Sequence, residues 1–168
     1  SLVLRGEAVI PYSEFEKINA QIEDADAKYK NPRNLCSGSV RQLNNEITAK
    51  RSVYFYAFSY VKAELDGAEP PFENDRENQF RFLKEQGFDV VPYKRVNADT
   101  IMAEIEWYAQ AIQTYDIPSD GLVLCYCDLA YSASLGLTAK FPRDSIAFKW
   151  ADETAETTLL EIEWSPSR

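Results

Sequence analysis

Residues 53–61 restrict the possible fold more than any other part of this sequence. Every second position in this run carries an aromatic side chain, at Tyr54, Tyr56, Phe58 and Tyr60. Side chains two positions apart point to the same face of a β-strand, so this spacing predicts a strand. Strands with two unlike faces occur mainly in antiparallel sheets, where one face packs on the core and the other meets solvent.

The rest of the sequence interleaves further strand and helix patterns. Ser13 and Glu16 form a capping box ahead of a helical spacing of apolar residues, and Asp75 and Asn97 are good N-caps for two later helices. The predicted helices cover residues 13–27, 75–86 and 97–113. The predicted strands cover residues 2–11, 53–61, 88–96, 122–124, 145–150 and 157–164, with a turn or loop at 31–34. We therefore predict an α+β fold in which mostly antiparallel sheets are flanked by helices.

The composition suits one soluble domain. At 168 residues, the chain can bury roughly 70% of the surface that its unfolded form exposes. Its 45% hydrophobic content favours a packed core over disorder. No apolar run approaches the roughly 20 residues of a membrane helix. We therefore predict a single domain over residues 1–168, with no membrane partner.

The absence of histidine excludes several kinds of site. With no histidine and an odd number of cysteines (Cys36, Cys125 and Cys127), the sequence supports neither a zinc site nor a disulfide framework. Ser-His and Cys-His nucleophile pairs are excluded for the same reason. Reduced thiols are typical of the cytoplasm, which is the predicted location. The net charge of −9 argues against bulk attraction to nucleic acid but leaves room for a local basic face.

Segment 119–150 has the residue pattern most typical of a catalytic or ligand-binding site. A short apolar run after Asp120-Gly121 predicts a strand buried on both faces. At the other end, Lys149 lies between two aromatic residues in a second predicted strand, and a buried lysine needs a partner. Asp120 and Lys149 are therefore candidates to face one anionic ligand. The alternatives stay open, since Asp-Gly is usually a turn and a lysine stem can lie along aromatic rings with its ammonium in water.

Several short motifs follow one another in an order that resembles one enzyme family. They are Arg5-Gly6-Glu7, Asn31-Pro32-Arg33-Asn34, Gly38-Ser39-Val40-Arg41-Gln42-Leu43, Ile47-Thr48-Ala49-Lys50-Arg51, Asp120-Gly121-Leu122-Val123-Leu124, Leu135-Gly136, Pro142-Arg143 and Ile146-Ala147-Phe148-Lys149. Together they span nearly the whole chain, which resembles the C-terminal part of the adenylation domain of bacterial NAD-dependent DNA ligases. The resemblance implies a nucleotidyltransferase (ATP-grasp-like) fold.

The resemblance also implies a set of nucleotide-binding residues. Glu7 would hydrogen-bond the ribose of the adenylate, and Phe58 would stack on adenine. Arg33 and Arg41 would contact the nucleotide or the phosphates at a nick, because a guanidinium fork matches phosphate oxygens. Lys149 would meet the adenylate phosphate. Taken singly, the same residue types are also common at solvated strand edges, in aromatic cores and in surface ion pairs.

Asp120 and Lys149 are the residues to which the resemblance assigns catalysis. Asp120 would support metal-assisted adenylyl transfer and is the one possible metal ligand. Positive charge from Lys149 would stabilise the charge that develops on phosphorus. The parent enzyme would use NAD and Mg²⁺, with zinc confined to a domain that lies outside this sequence.

Two departures from the family pattern affect the expected activity. The family's nucleophilic lysine lies in a Lys-x-Asp-Gly motif, and no such motif occurs in this sequence. The family's fourth motif carries a lysine where this sequence has Cys125, so either Lys140 or a neighbour supplies that charge or the active site is a variant one. We therefore expect a partial adenylation domain, without its N-terminal part and downstream ligase domains, that is inactive by itself.

The implied function of the parent protein is to seal nicks between 5′-phosphate and 3′-hydroxyl ends in duplex DNA, during replication and repair, with NAD as the AMP donor. An alternative is a non-catalytic nucleotide- or DNA-binding α+β module that has lost the chemistry, which Cys125 and the missing nucleophile favour. A third hypothesis is a ligase-like RNA-processing nucleotidyltransferase, which the block Asn31-Pro32-Arg33-Asn34 disfavours.

Overall fold

A computed structural model describes residues 1–64, 68, 70–150 and 156–164. Within these ranges the strands are β1 (Leu2–Val9), β2 (Tyr54–Ala63), β3 (Asp89–Val90), β4 (Gly121–Cys125) and β5 (Ser145–Lys149). The helices are α1 (Tyr12–Ala20), α2 (Pro32–Val40), α3 (Asn45–Ala49), α4 (Arg76–Glu85), α5 (Ile101–Ala111) and α6 (Leu129–Leu135). Short 3₁₀ turns lie at Ala25–Ala27 and Ile112–Thr114. The predicted α+β class is confirmed.

The larger sheet has the strand order β1-β2-β3. β1 and β2 run antiparallel, whereas β3 pairs parallel to β2. Two shifts in the β1–β2 register leave Phe58 and Val61 without a partner residue on β1. Each such β-bulge adds one residue to a strand and offsets its alternation. The buried residues of β2 are therefore Ala57, Tyr60 and Ala63, three positions apart instead of two.

Two clusters of buried side chains hold this sheet to its helices. The larger cluster joins β2, β3 and α4 and consists of Ala57, Tyr60, Ala63, Phe72, Phe80, Leu83 and Val90. Within it, the rings of Tyr60 and Phe72 meet edge to face with their centroids 4.7 Å apart. The smaller cluster consists of Ile10, Leu35 and Cys36 and packs α2 against the end of β1. This packing places α2 beside the strand that carries Arg5-Gly6-Glu7.

α1 and α2 begin differently from their predictions. α1 is shorter than the predicted helix 13–27, and Ser13 does not cap it, because the Ser13 hydroxyl donates to Asp116 Oδ2 at 2.6 Å. The predicted turn at 31–34 is the first turn of α2, which Asn31 caps by accepting from the Asn34 amide at 2.8 Å. Proline suits the first helical position, where its missing N–H leaves no bond unmade. Asn31, which precedes the proline, is extended as expected, but the predicted turn or loop is wrong because Pro32 starts the helix.

α4 agrees closely with its sequence prediction. Asp75 caps it by accepting from the Glu77 amide at 2.9 Å, and the helix ends before Gly87, whose φ is +85°. Only glycine adopts such a φ without steric cost, which explains why the helix stops there. Phe80 and Leu83 are buried, as predicted.

The segments that precede α5 are less regular than predicted. The predicted strand 88–96 is reduced to Asp89–Val90. Asn97 accepts from the amides of Asp99 and Thr100 at 3.0 and 3.1 Å, so it caps a turn that precedes α5 rather than the helix itself. The predicted inner face of α5 is nevertheless formed. Its half-buried residues are Ile101, Ile105, Tyr108 and Ile112.

β4 and β5 pair antiparallel in a separate sheet, the β4–β5 ribbon. The two strands are confirmed, but the prediction that β4 is buried on both faces is wrong, since Val123 is 69% exposed. Among the described residues, no third strand pairs with the ribbon, so its two outer edges carry no further strand. The predicted strand 157–164 is also wrong, because residues 156–164 are exposed and form no ladder. In the described ranges, no helix has both the length and the apolar character needed to cross a membrane.

Candidate functional site

Asp120 and Lys149 meet at one end of the β4–β5 ribbon. The register pairs Gly121 with Lys149, so the residue that precedes β4 lies beside the last residue of β5. Lys149 Nζ donates to Asp120 Oδ2 at 2.6 Å. The predicted burial of the lysine is wrong, since the side chains of Lys149 and Asp120 are 61% and 81% exposed. The two residues do lie side by side, but they bind each other, and the prediction that they face one anionic ligand stays a prediction.

The strands can approach this closely because Gly121 has no side chain. A Cβ added at Gly121 would lie 2.4 Å from the carbonyl oxygen of Phe148 and 3.1 Å from Cγ of Lys149. The first distance is shorter than any real Cβ contact with a backbone oxygen, and a carbonyl within a strand ladder cannot turn aside. The glycine of the Asp-Gly pair is therefore required by strand pairing, and it sets the position of the charged residues on either side.

Lys149 and, more weakly, Arg33 keep the Asp120 carboxyl in its charged form. The hydrogen bond from Lys149 lowers the pKa of Asp120 below its usual value, and the charge of Arg33 adds to the effect. Arg33 therefore lies near enough for its charge to act on the pair. An exposed ion pair contributes at most about 1 kcal/mol. A ligand phosphate can thus replace Asp120 as the partner of Lys149 at little cost.

α2 carries two of the predicted site arginines. Arg33 lies in its first turn and Arg41 directly follows its last residue, and both are exposed. Eight residues of α-helix separate them by about 12 Å along the axis. Among the described residues, neither guanidinium donates to a protein acceptor, so both retain their donors for a ligand. The opposite face of α2 is buried through Leu35, Cys36 and Ser39, which fixes the helix in place.

Glu7 and Phe58 lie on the larger sheet. Glu7 is exposed on β1. Burial raises the pKa of the Cys36 thiol on α2, and the negative charge of Glu7 adds to this effect, as expected for a carboxylate close to α2. Phe58 is the unpaired residue of a bulge in β2 and is 45% exposed, so it is not a core aromatic. In the described part of the chain, neither Glu7 nor Arg41 bonds directly to Asp120 or Lys149.

Cys125 lies at the opposite end of β4 from Asp120. Burial raises the pKa of its thiol, and the nearby charge of Arg76 partly offsets this effect. Arg76 is already engaged, since its Nη2 donates to Asp144 Oδ2 at 2.6 Å and its Nε donates to the Tyr126 carbonyl at 2.9 Å. Arg76 is therefore a cation beside Cys125, and its charge is balanced by a carboxylate.

Arg76 is a residue that the sequence analysis missed. It attaches the β4–β5 ribbon to α4, and the Arg76 and Asp144 side chains are only 19% and 13% exposed. The sequence does hold a signal, because a cation in the first turn of a helix opposes the helix dipole and is unfavourable without a partner. Its position directly after the N-cap Asp75 was visible, but the partner lies 68 positions away.

The described residues contain no group of three or more histidine, cysteine, aspartate or glutamate side chains that could hold a metal ion. Mg²⁺ commonly binds through one or two carboxylates together with substrate phosphates and waters. Asp120, with its charged and exposed carboxylate, fits such a role as a single ligand.

Comparison with known proteins assigns the chain to a class. Residues 1–153 match the family described as the NAD-dependent DNA ligase adenylation domain. This match covers most of the chain, and the chain therefore belongs to that family. The resemblance of the short motifs to this family is confirmed.

Individual relatives agree with this assignment. The chain is 61% identical over 168 residues to the DNA ligase of Ruminiclostridium cellulolyticum, and the match covers 100% of this chain and 25% of the relative. It is also 61% identical to the DNA ligase of Lachnoclostridium phytofermentans, over 99% of this chain and 25% of the relative. The DNA ligase of Thermoanaerobacter sp. strain X514 is 38% identical over 96% of this chain. The chain spans about a quarter of the length of the curated relatives that it matches.

Proposed function

We propose that this chain forms part of the adenylate pocket of an NAD-dependent DNA ligase with a nucleotidyltransferase (ATP-grasp-like) fold. The longer protein would transfer AMP from NAD to a lysine of its own, pass it to the 5′-phosphate of a nick and release it when the 3′-hydroxyl attacks. The observation that carries the proposal is the exposed Asp120–Lys149 ion pair at the end of the β4–β5 ribbon, in a chain of this family.

Lys149 would bind and stabilise the phosphate that undergoes transfer. Its Nζ is already directed at a carboxylate oxygen, and a phosphate oxygen offers the same geometry with more charge. As negative charge develops on the phosphoryl oxygens, a fixed ammonium stabilises the transition state more than the ground state. Asp120 would hold the ammonium in place before the nucleotide arrives and then be free for other contacts.

The remaining site residues would bind the nucleotide around this pair. Arg33 and Arg41 have exposed guanidinium groups that suit phosphates of the nucleotide or of nicked duplex DNA. The exposed ring of Phe58 would stack on adenine, and the exposed carboxylate of Glu7 would accept hydrogen bonds from the ribose hydroxyls. Each of these four side chains is open to solvent, as a binding role requires.

NAD would be the AMP donor, and Mg²⁺ would neutralise phosphate charge, with Asp120 as its one protein carboxylate in this chain. The described residues hold no zinc site of the Cys₄ or Cys₂His₂ type, and zinc in the longer protein would lie elsewhere. The three cysteines are free thiols, which suits the proposed cytoplasmic location.

The test uses the full-length protein that contains this chain. Lys149→Ala should lower the rate at which labelled NAD forms the covalent enzyme–AMP adduct by about a hundredfold to a thousandfold, while Lys149→Arg should retain part of the activity. Lys94→Ala is the matched control, since Lys94 is also an exposed lysine in an ion pair, with Glu104 on α5. The control should react like the wild type.

Three outcomes would contradict the proposal. Labelling by ATP but not by NAD would assign the protein to another nucleotidyltransferase class. Absence of any adduct would favour a binding module without chemistry. An unchanged rate in Lys149→Ala would remove Lys149 from the site. The isolated 168-residue chain should seal no nicks, and detectable sealing by it would contradict the expectation that the nucleophile lies outside this sequence.

A further inference from the structure

Tyr108, on the inner face of α5, contacts both strands of the β4–β5 ribbon at the end that carries the charged pair. Its hydroxyl lies 3.2 Å from Ser119 Oγ, in the residue directly before Asp120. Its ring stacks on Trp150, the residue directly after Lys149, with centroids 5.9 Å apart and an interplanar angle of 27°. One side chain therefore touches the chain neighbours of both charged residues.

The direction of the hydrogen bond follows from the second contact of Ser119. The Ser119 hydroxyl donates to the Gly121 carbonyl at 3.4 Å, so its single proton is directed there. Tyr108 is then the donor to Ser119 Oγ. These two hydrogen bonds connect α5 through Ser119 to Gly121, the first residue of β4. They hold the residues on both sides of Asp120 and do not involve the Asp120 carboxylate.

The stacking contact restrains the second strand in a similar way. Trp150 follows the last residue of β5, and its ring also meets Phe148 edge to face at 5.5 Å. Phe148 and Trp150 thus hold the backbone on both sides of Lys149, while Tyr108 ties Trp150 to α5. Because the strands are antiparallel, Ser119 and Trp150 lie at the same end of the ribbon, where one helix residue can reach both.

We propose that Tyr108 is a positioning residue for the Asp120–Lys149 pair. It does not touch the nucleotide; it fixes the ends of β4 and β5 relative to each other and to α5, and thereby fixes where the Lys149 ammonium lies. This inference rests on the proposed function, in which Lys149 meets the transferred phosphate. A lysine stem with four rotatable bonds benefits most from a backbone held at a fixed position.

The experiment measures single-turnover formation of enzyme–AMP from labelled NAD by the full-length protein. Tyr108→Leu removes both contacts and should lower the rate at saturating NAD by at least about tenfold, with the KM for NAD little changed. Tyr108→Phe keeps the stacked ring and loses only the hydroxyl, so its rate should fall by about twofold to fivefold. Met102→Ala is the control and should react at the wild-type rate, because Met102 is also on α5 and is 62% exposed.

A double-mutant cycle separates positioning from general stability. Ser119→Ala should match Tyr108→Phe, and the double variant should be no slower than either single one, since both remove the same hydrogen bond. Additive effects would contradict the proposed bond, and a wild-type rate in Tyr108→Leu would overturn the inference. A Tyr108→Leu protein that fails to fold leaves Tyr108→Phe and Ser119→Ala to decide. If the wild type forms no adduct with NAD, the proposed function itself fails, which is a distinct result.

Discussion

Substitution of Gly121 by alanine is the most direct perturbation of the candidate site that leaves every charged side chain in place. The new Cβ would lie 2.4 Å from the Phe148 carbonyl oxygen, whereas ordinary van der Waals contact begins at 3.4 Å. The backbones of β4 and β5 must therefore move apart locally by about 1 Å. Gly121 is paired with Lys149 and follows Asp120, so this displacement falls on both members of the ion pair.

The expected consequence is a loss of rate rather than a loss of binding. A misplacement of about 1 Å in a catalytic group typically costs on the order of a hundredfold in rate. We expect Gly121→Ala in the full-length protein to form enzyme–AMP from NAD about a hundredfold more slowly, with NAD still bound. Single-turnover labelling at several NAD concentrations measures the rate and the half-saturating concentration separately.

Gly87→Ala is the matched control for Gly121→Ala. Gly87 has φ +85° and open space around its Cβ position, so alanine there is strained by about 1–2 kcal/mol without displacing any neighbour. The control should be less stable to denaturant, yet it should react at the wild-type rate. A wild-type rate in Gly121→Ala would refute the geometric argument, and an equal loss in the control would show that lowered stability alone explains the effect.

The other predictions concern stability. Leu83→Ala should lower the free energy of unfolding by about 2–5 kcal/mol in urea denaturation, because Leu83 is fully buried in the larger cluster. Arg76→Met should cost about 2–3 kcal/mol because it strands the half-buried Asp144 carboxylate, and adding Asp144→Leu should recover part of that loss. Hydrogen bonds from Ser13 lower the pKa of Asp116. Their contribution to the free energy of unfolding is therefore present above about pH 4 and is lost as the pH falls through the folded-state pKa. Asp116→Asn should flatten this acid dependence in urea titrations between pH 2 and 6.

Sequence patterns predicted the elements whose start and end depend on interactions between neighbouring residues. α4 was predicted from Asp75 as its cap and Gly87 as its end, and both act in that way in the structure. The turn or loop predicted at 31–34 was wrong, because a proline that keeps its predecessor extended can itself start a helix, and the Asn31 cap marks that start.

Features that depend on distant contacts were not predictable from spacing. The alternation on β2 predicted the strand, but two bulges set by its pairing with β1 made Ala57, Tyr60 and Ala63 the buried residues. The strand-like pattern at 157–164 forms no ladder in the described chain, since alternation supplies a pleated surface but not a partner strand.

The sequence by itself determined the family, the α+β class and the identity of the charged residues, because short motifs and residue chemistry are properties of the chain. It also identified Asp120 and Lys149 as candidates to face one anionic ligand. Only the tertiary structure decided that the pair is exposed, that a cation beside Cys125 is Arg76, and that Tyr108 contacts the residues that flank both strands at one end of the ribbon. These contacts join residues far apart in the chain, and their geometry follows from how strands and helices pack.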